Sequence, residues 1–420
     1  MKKRVVGLLL AAGMVMTSLM YVPVAAEEAE VITLACWYDE DEMAGILEAI
    51  NAKLEGKYVV EYTYISNSDW NNVISTQLAA GEGPDIVADG ANFPARIKAG
   101  NVKDITGAAF LEGINEVGFS LCSDGGKIYG VPSYGWFGGM WYNEDILAEC
   151  GVEVPKTFDE FVSVCEVIKE AGYEPMGFGL ADGDTAHSSL LGYLENSFYH
   201  NNDANAEGIA FDSAFANGEI TLAGNWDEAV TKWYTLIEKG FIHSEMLGMS
   251  NEEAVGNFIA GKSAFLQGGP WQYTNIITDG GVNAAFMPHL SESGENVYVL
   301  GGPAASFGVN ANTKNEEGAM AVLEAIASVE VQQAIVDANT GGFSYKAGVV
   351  AQQPEEYAGI ADILNNGNVA CAWDRWSVNM PSQSLIDESI AQIQGLVSGD
   401  LTIEDYLAAM DEKANSIRYN

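Results

Sequence analysis

The sequence predicts an α/β protein of two lobes, each containing a β-sheet flanked by helices. The chain has 420 residues, which exceeds the length at which a single hydrophobic core usually stops growing. Short apolar runs rich in β-branched residues alternate with helical patterns, and this alternation is typical of parallel sheets. An apolar content of 48% with 46 glycines fits a globular chain with many loops.

The first 26 residues predict export. A basic MKKR precedes the apolar stretch VVGLLLAAGMVMTSLMYV, and small residues at 24–26 come just before an acidic EEAE. This order is that of a signal peptide cleaved after Ala26, so we expect an extracellular or cell-envelope location. An uncleaved membrane anchor is the alternative. Cys36 lies beyond the acidic segment, so we expect it in the first strand rather than as a lipid anchor.

The region after the signal alternates strand, helix, strand, helix, strand. VITLACWY, YVVEYTYI and PDIVAD are short β-rich runs, and WNNVISTQLAAG follows a helical pattern. DEDEMAGILEAINAKL has acidic residues in its first turn. Its apolar residues form one helical stripe, which consists of Met43, Ile46, Leu47, Ile50 and Leu54. This order predicts a parallel sheet.

The alternation continues through the rest of the chain. PKTFDEFVSVCEVIKEAGY predicts a helix with a capping box of Thr157 and Glu160, ended by Gly172. The next predicted elements are GYEPMGFGL, a helix in DEAVTKWYTLIEKG and the strand KSAFLQG. After them, EEGAMAVLEAIASVEVQQAIVDA predicts one long amphipathic helix. SQSLIDESIAQIQGLVSG and TIEDYLAAMDEKANSI predict two more helices. Because no linker of low complexity separates these elements, we expect short crossings between the lobes.

The charge balance disfavours several classes of partner. The chain has 59 acidic residues, and loss of Lys2, Lys3 and Arg4 with the signal changes the net charge from −40 to −43. Such a surface repels nucleic acid and anionic lipid head groups, and it suits a neutral or cationic ligand.

The sequence also lacks the motifs of common enzymes. It contains no HExxH, GxSxG, GxxxxGK[ST] or GxGxxG. The five cysteines form no CxxC and the four histidines are scattered, so we expect neither a metal site nor a cofactor. Asp182 and Asp184 could serve a secreted glycosidase, but chance spacing among 59 acidic residues explains the pair. We expect that the protein is not an enzyme.

Aromatic residues cluster where predicted strands end. They occur at 37–38, in WFGGMWY at 136–142, after GGP at 271–273, and in AWDRW at 372–376. Ligands of open α/β sheets bind beyond the strand ends. An aromatic face suits the C–H face of a pyranose, and carboxylates and amides suit its hydroxyl groups. The pattern predicts a neutral carbohydrate ligand, with Trp141 in the core because it lies inside a strand-like run.

Five segments between about residues 31 and 350 resemble bacterial extracellular solute-binding proteins of the sugar-binding type, which serve ABC importers. GKSAFLQGGPWQY is similar to the family pattern GK-x-A-(x)4-G-x-W. GMWYNEDIL, PKTFDEF, GEGPDIVADG and GGPAASFGVNANTKNEEGAMAVLEAIAS follow other family patterns. Trp141 replaces the usual aliphatic residue, and Phe158 replaces the commoner Trp.

The resemblance implies the two-lobed, type II periplasmic-binding-protein-like fold, with a ligand clamped between the lobes. Comparison with the maltose-binding branch implies a first lobe of 31–133 plus 302–345 and a second of 139–298 plus 346–420. Hinge crossings then fall at 134–138, 299–301 and about 345–346. The implied protein is a monomer that captures a carbohydrate, specifically an oligosaccharide, and delivers it to a membrane permease. A polyamine or peptide ligand, and a sensory partner, are the open alternatives.

The resemblance also implies which residues contact the ligand. Trp271 matches the family's stacking Trp, and Trp136 occupies a position held by an acid in the maltose-binding branch. The other implied contacts are loop residues, with the last three expected to close the pocket: Trp37, Tyr38, Asp39, Asp89, Asn92, Phe93, Asp182, Asp184, His187, Tyr273, Trp373, Arg375 and Trp376.

Overall fold

A computed structural model describes residues 29–181, 185–200, 204–377 and 379–419, so the predicted signal peptide lies outside the described residues. The strands in these ranges are β1 Glu30–Cys36, β2 Tyr58–Tyr64, β3 Ile86–Asp89, β4 Ser123–Asp124, β5 Lys127–Ile128, β6 Val131–Pro132, β7 Gly135–Asn143, β8 Glu174–Gly177, β9 Ser263–Gly268, β10 Ala284–Met287, β11 Val299–Pro303, β12 Ser306–Val309 and β13 Val369–Ala370.

The helices alternate with these strands, as the sequence predicts. They are α1 Glu40–Lys53, α2 Asn67–Ala79, α3 Phe93–Lys98, α4 Glu144–Cys150, α5 Phe158–Glu170, α6 Thr185–Leu194, α7 Ala204–Asn217, α8 Asp227–Glu238, α9 Asn251–Ile259, α10 Glu316–Ile326, α11 Val329–Ala338, α12 Ala361–Asn365, α13 Ala372–Trp376, α14 Ser382–Ser398 and α15 Ile403–Ile417. A single turn at Glu195–Tyr199 extends α6. Another turn, at Pro270–Gln272, follows β9.

The strands form two main sheets, each with its own core. The first has the order β2-β1-β3-β12-β6, with β1 parallel to β2 and β3, and β12 antiparallel to β3. The second has the order β13-β11-β7-β9-β8, and β10 also pairs with β7. One core contains the first sheet with α1 and α10, and two clusters cover the faces of the second. This arrangement confirms the predicted α/β class.

Two antiparallel segments carry the chain between the sheets. Ser133 and Tyr134 separate β6 from β7, and Ala304 and Ala305 separate β11 from β12. The Ala304 amide donates to the Tyr134 carbonyl over 2.9 Å, and the Ser133 amide donates to the Ala305 carbonyl over 2.8 Å. A third segment returns at Phe343, whose backbone pairs with that of Gly135. These crossings link the two sheets covalently.

The strands do not divide between the sheets at every expected position. β11 pairs with β7 as far as Pro303, so 302 and 303 belong to the second sheet. Val349 and Ala351 pack against the core of the first sheet. The bounds expected for the two lobes, 31–133 plus 302–345 and 139–298 plus 346–420, remain a prediction.

One predicted helix is two helices in the structure. α10 and α11 meet at an angle of 66°, because Ser328 accepts a hydrogen bond from the Val331 amide and so begins a new helix. Another detail also differs from expectation. Thr157 caps α5 by accepting from the Glu160 amide, but the Glu160 carboxylate accepts from the amide of Lys156 rather than that of Thr157.

Several other expectations are confirmed. Cys36 is the last residue of β1 and is fully buried, and Trp141 is 0% exposed in the core. Each of the five cysteines lies in the described part of the chain and is a free thiol. Between residues 29 and 419, as far as they are described, no single helix is long and apolar enough to cross a membrane, although the bent pair α10 and α11 meets the same criteria jointly.

Candidate functional site

A row of aromatic rings lies on one face of the second sheet, close to the crossings. Trp136, on β7, is half-buried, and its indole stacks on that of Trp373 with centroids 5.7 Å apart and planes 11° from parallel. Trp271 lies on the other side of Trp136, with a centroid distance of 6.0 Å and planes at 58°. The structure thus brings together three predicted residues that are far apart in sequence.

Trp271 is the exposed member of this row, with 47% of its surface accessible. The turn that carries it follows β9 directly, and the buried Trp141 indole donates to the Gly269 carbonyl over 3.3 Å. A Cβ at position 269 would lie 2.2 Å from the Trp271 ring. Glycine at 269 is therefore needed for the ring to lie flat against its own turn and present its outer face to solvent.

Trp373 is an internal layer of the row. One of its faces meets Trp136, and the other meets His187, with centroids 5.5 Å apart and planes at 22°. Trp373 is 8% exposed and His187 is 1% exposed. Burial lowers the pKa of His187 to about 3, so the ring is neutral, and its Nδ1 lies 2.7 Å from the Ser389 hydroxyl. Both residues support Trp136 from behind.

The first loop contributes one accessible ring. Trp37 is half-buried and packs edge-on against Trp70 at 5.4 Å. Tyr38 is buried, and its hydroxyl lies 3.0 Å from that of Ser133 in the first crossing. Asp39 caps α1 by accepting from the Glu42 amide over 2.8 Å. Of the three, the indole of Trp37 is best placed to meet a ligand.

The loop after β3 contains side chains with structural roles and one side chain that is available to a ligand. Asp89 is 2% exposed and pairs with Arg96 over 2.8 Å; burial raises the pKa of this carboxyl although Arg96 opposes the rise. Phe93 was expected to contact ligand but is 0% exposed in the first core. Asn92 is 7% exposed, and in the described part of the chain its side chain forms no hydrogen bond.

The two lobes touch beside this loop. The Ser382 hydroxyl, at the start of α14, donates to the Ala91 carbonyl over 3.3 Å. Ala91 also packs against the core of the second sheet. The structure therefore has the loop after β3 in contact across the cleft with the region that follows α13.

Arg375 and Trp376 lie inside the second lobe rather than at the edge of the pocket. Arg375 forms ion pairs with Glu195, over 2.9 Å, and with Asp212. The Trp376 indole is 0% exposed and donates to Asp212 over 2.8 Å. These contacts anchor α13, so the expectation that Arg375 and Trp376 close the pocket is wrong for the structure described.

One further predicted residue, Tyr273, does not join the row. Tyr273 donates to Glu356 over 3.2 Å and packs near Trp141 and Tyr357, on the opposite face of the second sheet. Asp182 and Asp184 lie outside the described residues.

A cavity of ≈ 600 Å³ adjoins the aromatic row between the lobes. Its size is within the range of small-molecule sites. It is bounded by the loop at 113–117, by the return segment at 343–347 and by Leu364, Gly367 and Val369. Gly302, which pairs with Trp136 across β7 and β11, also lines the cavity. The row and the cavity therefore meet at Gly302.

Sequence reasoning missed Asp374, whose carboxyl group lies at this meeting point. A Cβ at position 302 would be 2.3 Å from Asp374 Oδ2. Its neighbours Trp373 and Arg375 are both among the predicted ligand contacts. Nothing in the sequence distinguishes the Asp374 carboxylate from the other acidic residues. Among the described residues, no group of three or more His, Cys, Asp and Glu side chains could hold a metal ion.

Comparison with known proteins identifies one family. The model of the family described as "Bacterial extracellular solute-binding protein" matches residues 39–333, about 70% of the chain. The multiple sugar-binding protein of Streptococcus mutans is 25% identical over 245 residues, which cover 57% of this chain and 57% of that protein. A putative ABC transporter periplasmic-binding protein of Escherichia coli, YcjN, is 24% identical over 196 residues, which cover 44% and 43%.

Solved structures agree on the fold. A chitin oligosaccharide binding protein superposes with a TM-score of 0.77 at 20% identity, covering 93% of this chain and 99% of that one. At this identity the likeness supports the fold alone. The chain spans about half the length of the curated relatives that it matches.

Proposed function

Because the chain belongs to the bacterial extracellular solute-binding protein family, we propose that it captures a carbohydrate in the cleft and delivers it to an ABC importer. The single observation that carries the ligand class is the corner formed by Trp271 and Trp136, at 58° and 6.0 Å. One indole is exposed and the other half-buried, so each can stack on the C–H face of a sugar. The names of the multiple sugar-binding and chitin oligosaccharide binding relatives support a carbohydrate.

The electrostatics of the described site favour a neutral ligand over a polyamine. A polyamine needs ionised carboxylates that lack other cations. Asp89 is already paired with Arg96, Asp39 caps a helix, and burial raises the pKa of Asp374 to about 8. These three carboxyl groups therefore offer little free negative charge to a cationic ligand, despite the net charge of −40.

The proposed mechanism is hinge closure. The paired crossings beside Ser133 and Ala305 would allow the lobes to rotate, and a ligand that contacts both lobes stabilises the closed form. Trp37 and Asn92 would approach from the first lobe, while Trp136 and Trp271 would approach from the second. The closed form would then dock as a monomer on the membrane permease.

Titration of intrinsic Trp fluorescence tests this proposal. The mature protein, secreted by a bacterial host, is titrated with D-galactose, raffinose, maltotriose, chitotriose and xylotriose, with spermidine as the charged control. We expect saturable binding of one sugar series with Kd near micromolar, about −8 kcal/mol. A response to spermidine alone would overturn the carbohydrate assignment.

Two measurements on the same sample test the remaining claims. Chromatography after the titration should recover the sugar intact, because we propose no catalysis; hydrolysis, abolished by Asp184→Asn, would indicate a glycosidase. The intact mass should match a chain that begins at Glu27, since we propose cleavage after Ala26. A larger mass carrying lipid, or the uncleaved signal, would contradict that proposal.

A further inference from the structure

The carboxyl group of Asp374 occupies the space that a side chain at position 302 would fill. Its Oδ2 would be 2.3 Å from a Cβ at that position. Gly302 lies directly opposite Trp136 in the ladder between β7 and β11, and side chains of directly opposed residues lie on the same face about 5 Å apart. The carboxyl group therefore lies beside Trp136, on the face where the aromatic row is stacked.

Asp374 is half-buried, and in the described part of the chain its carboxyl group is hydrogen-bonded by the side chain of the adjacent Trp373. The adjacent Trp373 side chain weakly favours its ionised form. Arg375, next to it in sequence, is instead engaged with Glu195 and Asp212. A single hydrogen bond leaves most of the acceptor capacity of a carboxyl group free for a ligand.

The groups around Asp374 disfavour its negative charge. Burial is the largest effect and raises the pKa to about 8; Arg375 opposes the rise, and Glu195 adds to it. Tyr345 on the return segment and Cys371 before α13 are the other titratable groups within electrostatic reach. Burial raises the pKa of both, so they are uncharged near neutral pH. At neutral pH the Asp374 carboxyl is therefore mainly protonated, and it can both donate and accept a hydrogen bond.

The cavity between the lobes reaches the same place. Gly302 and Tyr345 both line it, and both lie close to Asp374. A ligand that stacks on Trp136 and extends into the cavity would pass over the Asp374 carboxyl group.

We propose that Asp374 determines specificity in the cleft by hydrogen-bonding the hydroxyl groups of a sugar that stacks on Trp136 and extends toward Tyr345. This inference rests on the proposed function and adds a residue and a ligand length to it. A carboxylic acid that donates and accepts matches a hydroxyl group, which does the same. A ligand that both stacks in the aromatic row and enters the cavity of ≈ 600 Å³ is longer than one sugar ring, so the inferred ligand is an oligosaccharide.

Three variants of the mature protein test the role of Asp374: Asp374→Ala, Asp374→Asn and the control Asp362→Ala. Asp362 is exposed on α12 and is not among the residues that line the cavity. Calorimetry at pH 6 uses whichever of raffinose, maltotriose, chitotriose and xylotriose the parent protein binds. We expect Asp374→Ala to weaken binding about tenfold and Asp374→Asn to weaken it about threefold, as for the loss of one or two hydrogen bonds. Asp362→Ala should bind as the parent does.

The dependence of affinity on pH separates a ligand contact from a structural role. Closure removes more water from Asp374, so binding favours the protonated form. The parent protein should therefore lose about tenfold in affinity between pH 7 and pH 9. Asp374→Asn cannot titrate at this position and should lose much less. The thermal midpoint of each variant at pH 6 shows whether it has folded.

Each outcome decides the inference. Equal affinities of the parent and a folded Asp374→Ala would overturn it while leaving the proposed function intact. Parallel pH profiles of the parent and Asp374→Asn would also overturn it. If the parent bound no sugar in the panel, the proposed function would fail, and the role of Asp374 with it.

Discussion

The indole of Trp136 is stacked on that of Trp373, with centroids 5.7 Å apart and planes 11° from parallel. His187 covers the far face of Trp373, so Trp136 is the outer layer of a three-ring stack. A ligand in the cleft can reach Trp136 and Trp271, whereas Trp373 has no free face. The expected contacts therefore divide into rings that can contact the ligand and rings that pack behind those rings and support them.

Replacing Trp271 by Ala should weaken sugar binding by at least about 1 kcal/mol, roughly five- to tenfold. The free energy of unfolding should change by less than about 0.5 kcal/mol, because the ring is half-exposed on a turn. Calorimetry and urea denaturation measure the two quantities. Val350→Ala, at a residue that is 70% exposed, is the control and should change neither. An unchanged affinity in Trp271→Ala would remove this residue from the site.

Replacing Gly269 by Ala should impair the site through Trp271. The new Cβ would lie 2.2 Å from the Trp271 ring and 2.4 Å from the carbonyl oxygen of Phe137. The ring can move but the backbone cannot do so cheaply, so we expect a loss of about 1–3 kcal/mol in stability, together with the affinity loss of Trp271→Ala.

Gly256→Ala is the matched control for this prediction. A Cβ at 256 has nothing within 4 Å, and the residue lies in α9, where Ala is favoured over Gly. It should bind normally with equal or greater stability. If Gly269→Ala bound sugar as well as the parent, the turn would tolerate displacement of the ring, and the argument for glycine at 269 would be wrong.

The fold could be predicted because its signals are local. Apolar runs, helical stripes and the Pro and Gly around position 270 were each visible within a few residues, and the strand and helix order followed from them. Trp141 could be assigned to the core for the same reason. The break at Ser328 was missed because the apolar pattern continues through it, while the serine cap that begins α11 competes with that pattern only in the folded chain.

The candidate site was less predictable because it depends on contacts between distant residues. The partners of Arg375 lie 163 and 180 positions earlier in the chain, so the sequence around AWDRW could not distinguish an anchoring cation from a ligand contact. The family resemblance implied Phe93 and Trp376 as ligand contacts, but tertiary packing buries both completely. The Asp374 carboxyl group can lie beside β11 because residue 302, 72 positions earlier in the chain, is a glycine without a side chain.

Replacing Arg375 by Met should destabilise the protein by about 3–5 kcal/mol, because it leaves the buried carboxylates of Glu195 and Asp212 without their cation. The exposed ion pair Lys53–Glu330 supplies the control; Lys53→Met should cost about 0–1 kcal/mol. Urea denaturation measures both. A variant at 375 that keeps its stability but loses sugar affinity would show that Arg375 contacts ligand after all.

The stability of the protein should depend on pH through Asp374, and replacement by Asn should reveal it. In the unfolded chain the carboxyl has a pKa of about 3.9, whereas burial raises it to about 8 in the folded protein. Between these values only the folded state retains the proton, so the free energy of unfolding of the parent falls as pH rises, by at most about 1.4 kcal/mol per unit. Asp374→Asn lacks this loss.

The difference in free energy of unfolding between Asp374→Asn and the parent should therefore grow in favour of the variant from pH 4 to pH 8, and then level off. Urea denaturation of both proteins at pH 5, 7 and 9 measures it. Comparing the two proteins at each pH cancels the contribution of Asp89, whose pKa burial also raises. Asp362 is at an exposed position, so the free energy of unfolding of Asp362→Asn should change with pH as that of the parent does. A constant difference between Asp374→Asn and the parent would mean that Asp374 is ionised in the folded protein, and that the cleft presents a negative charge to its ligand.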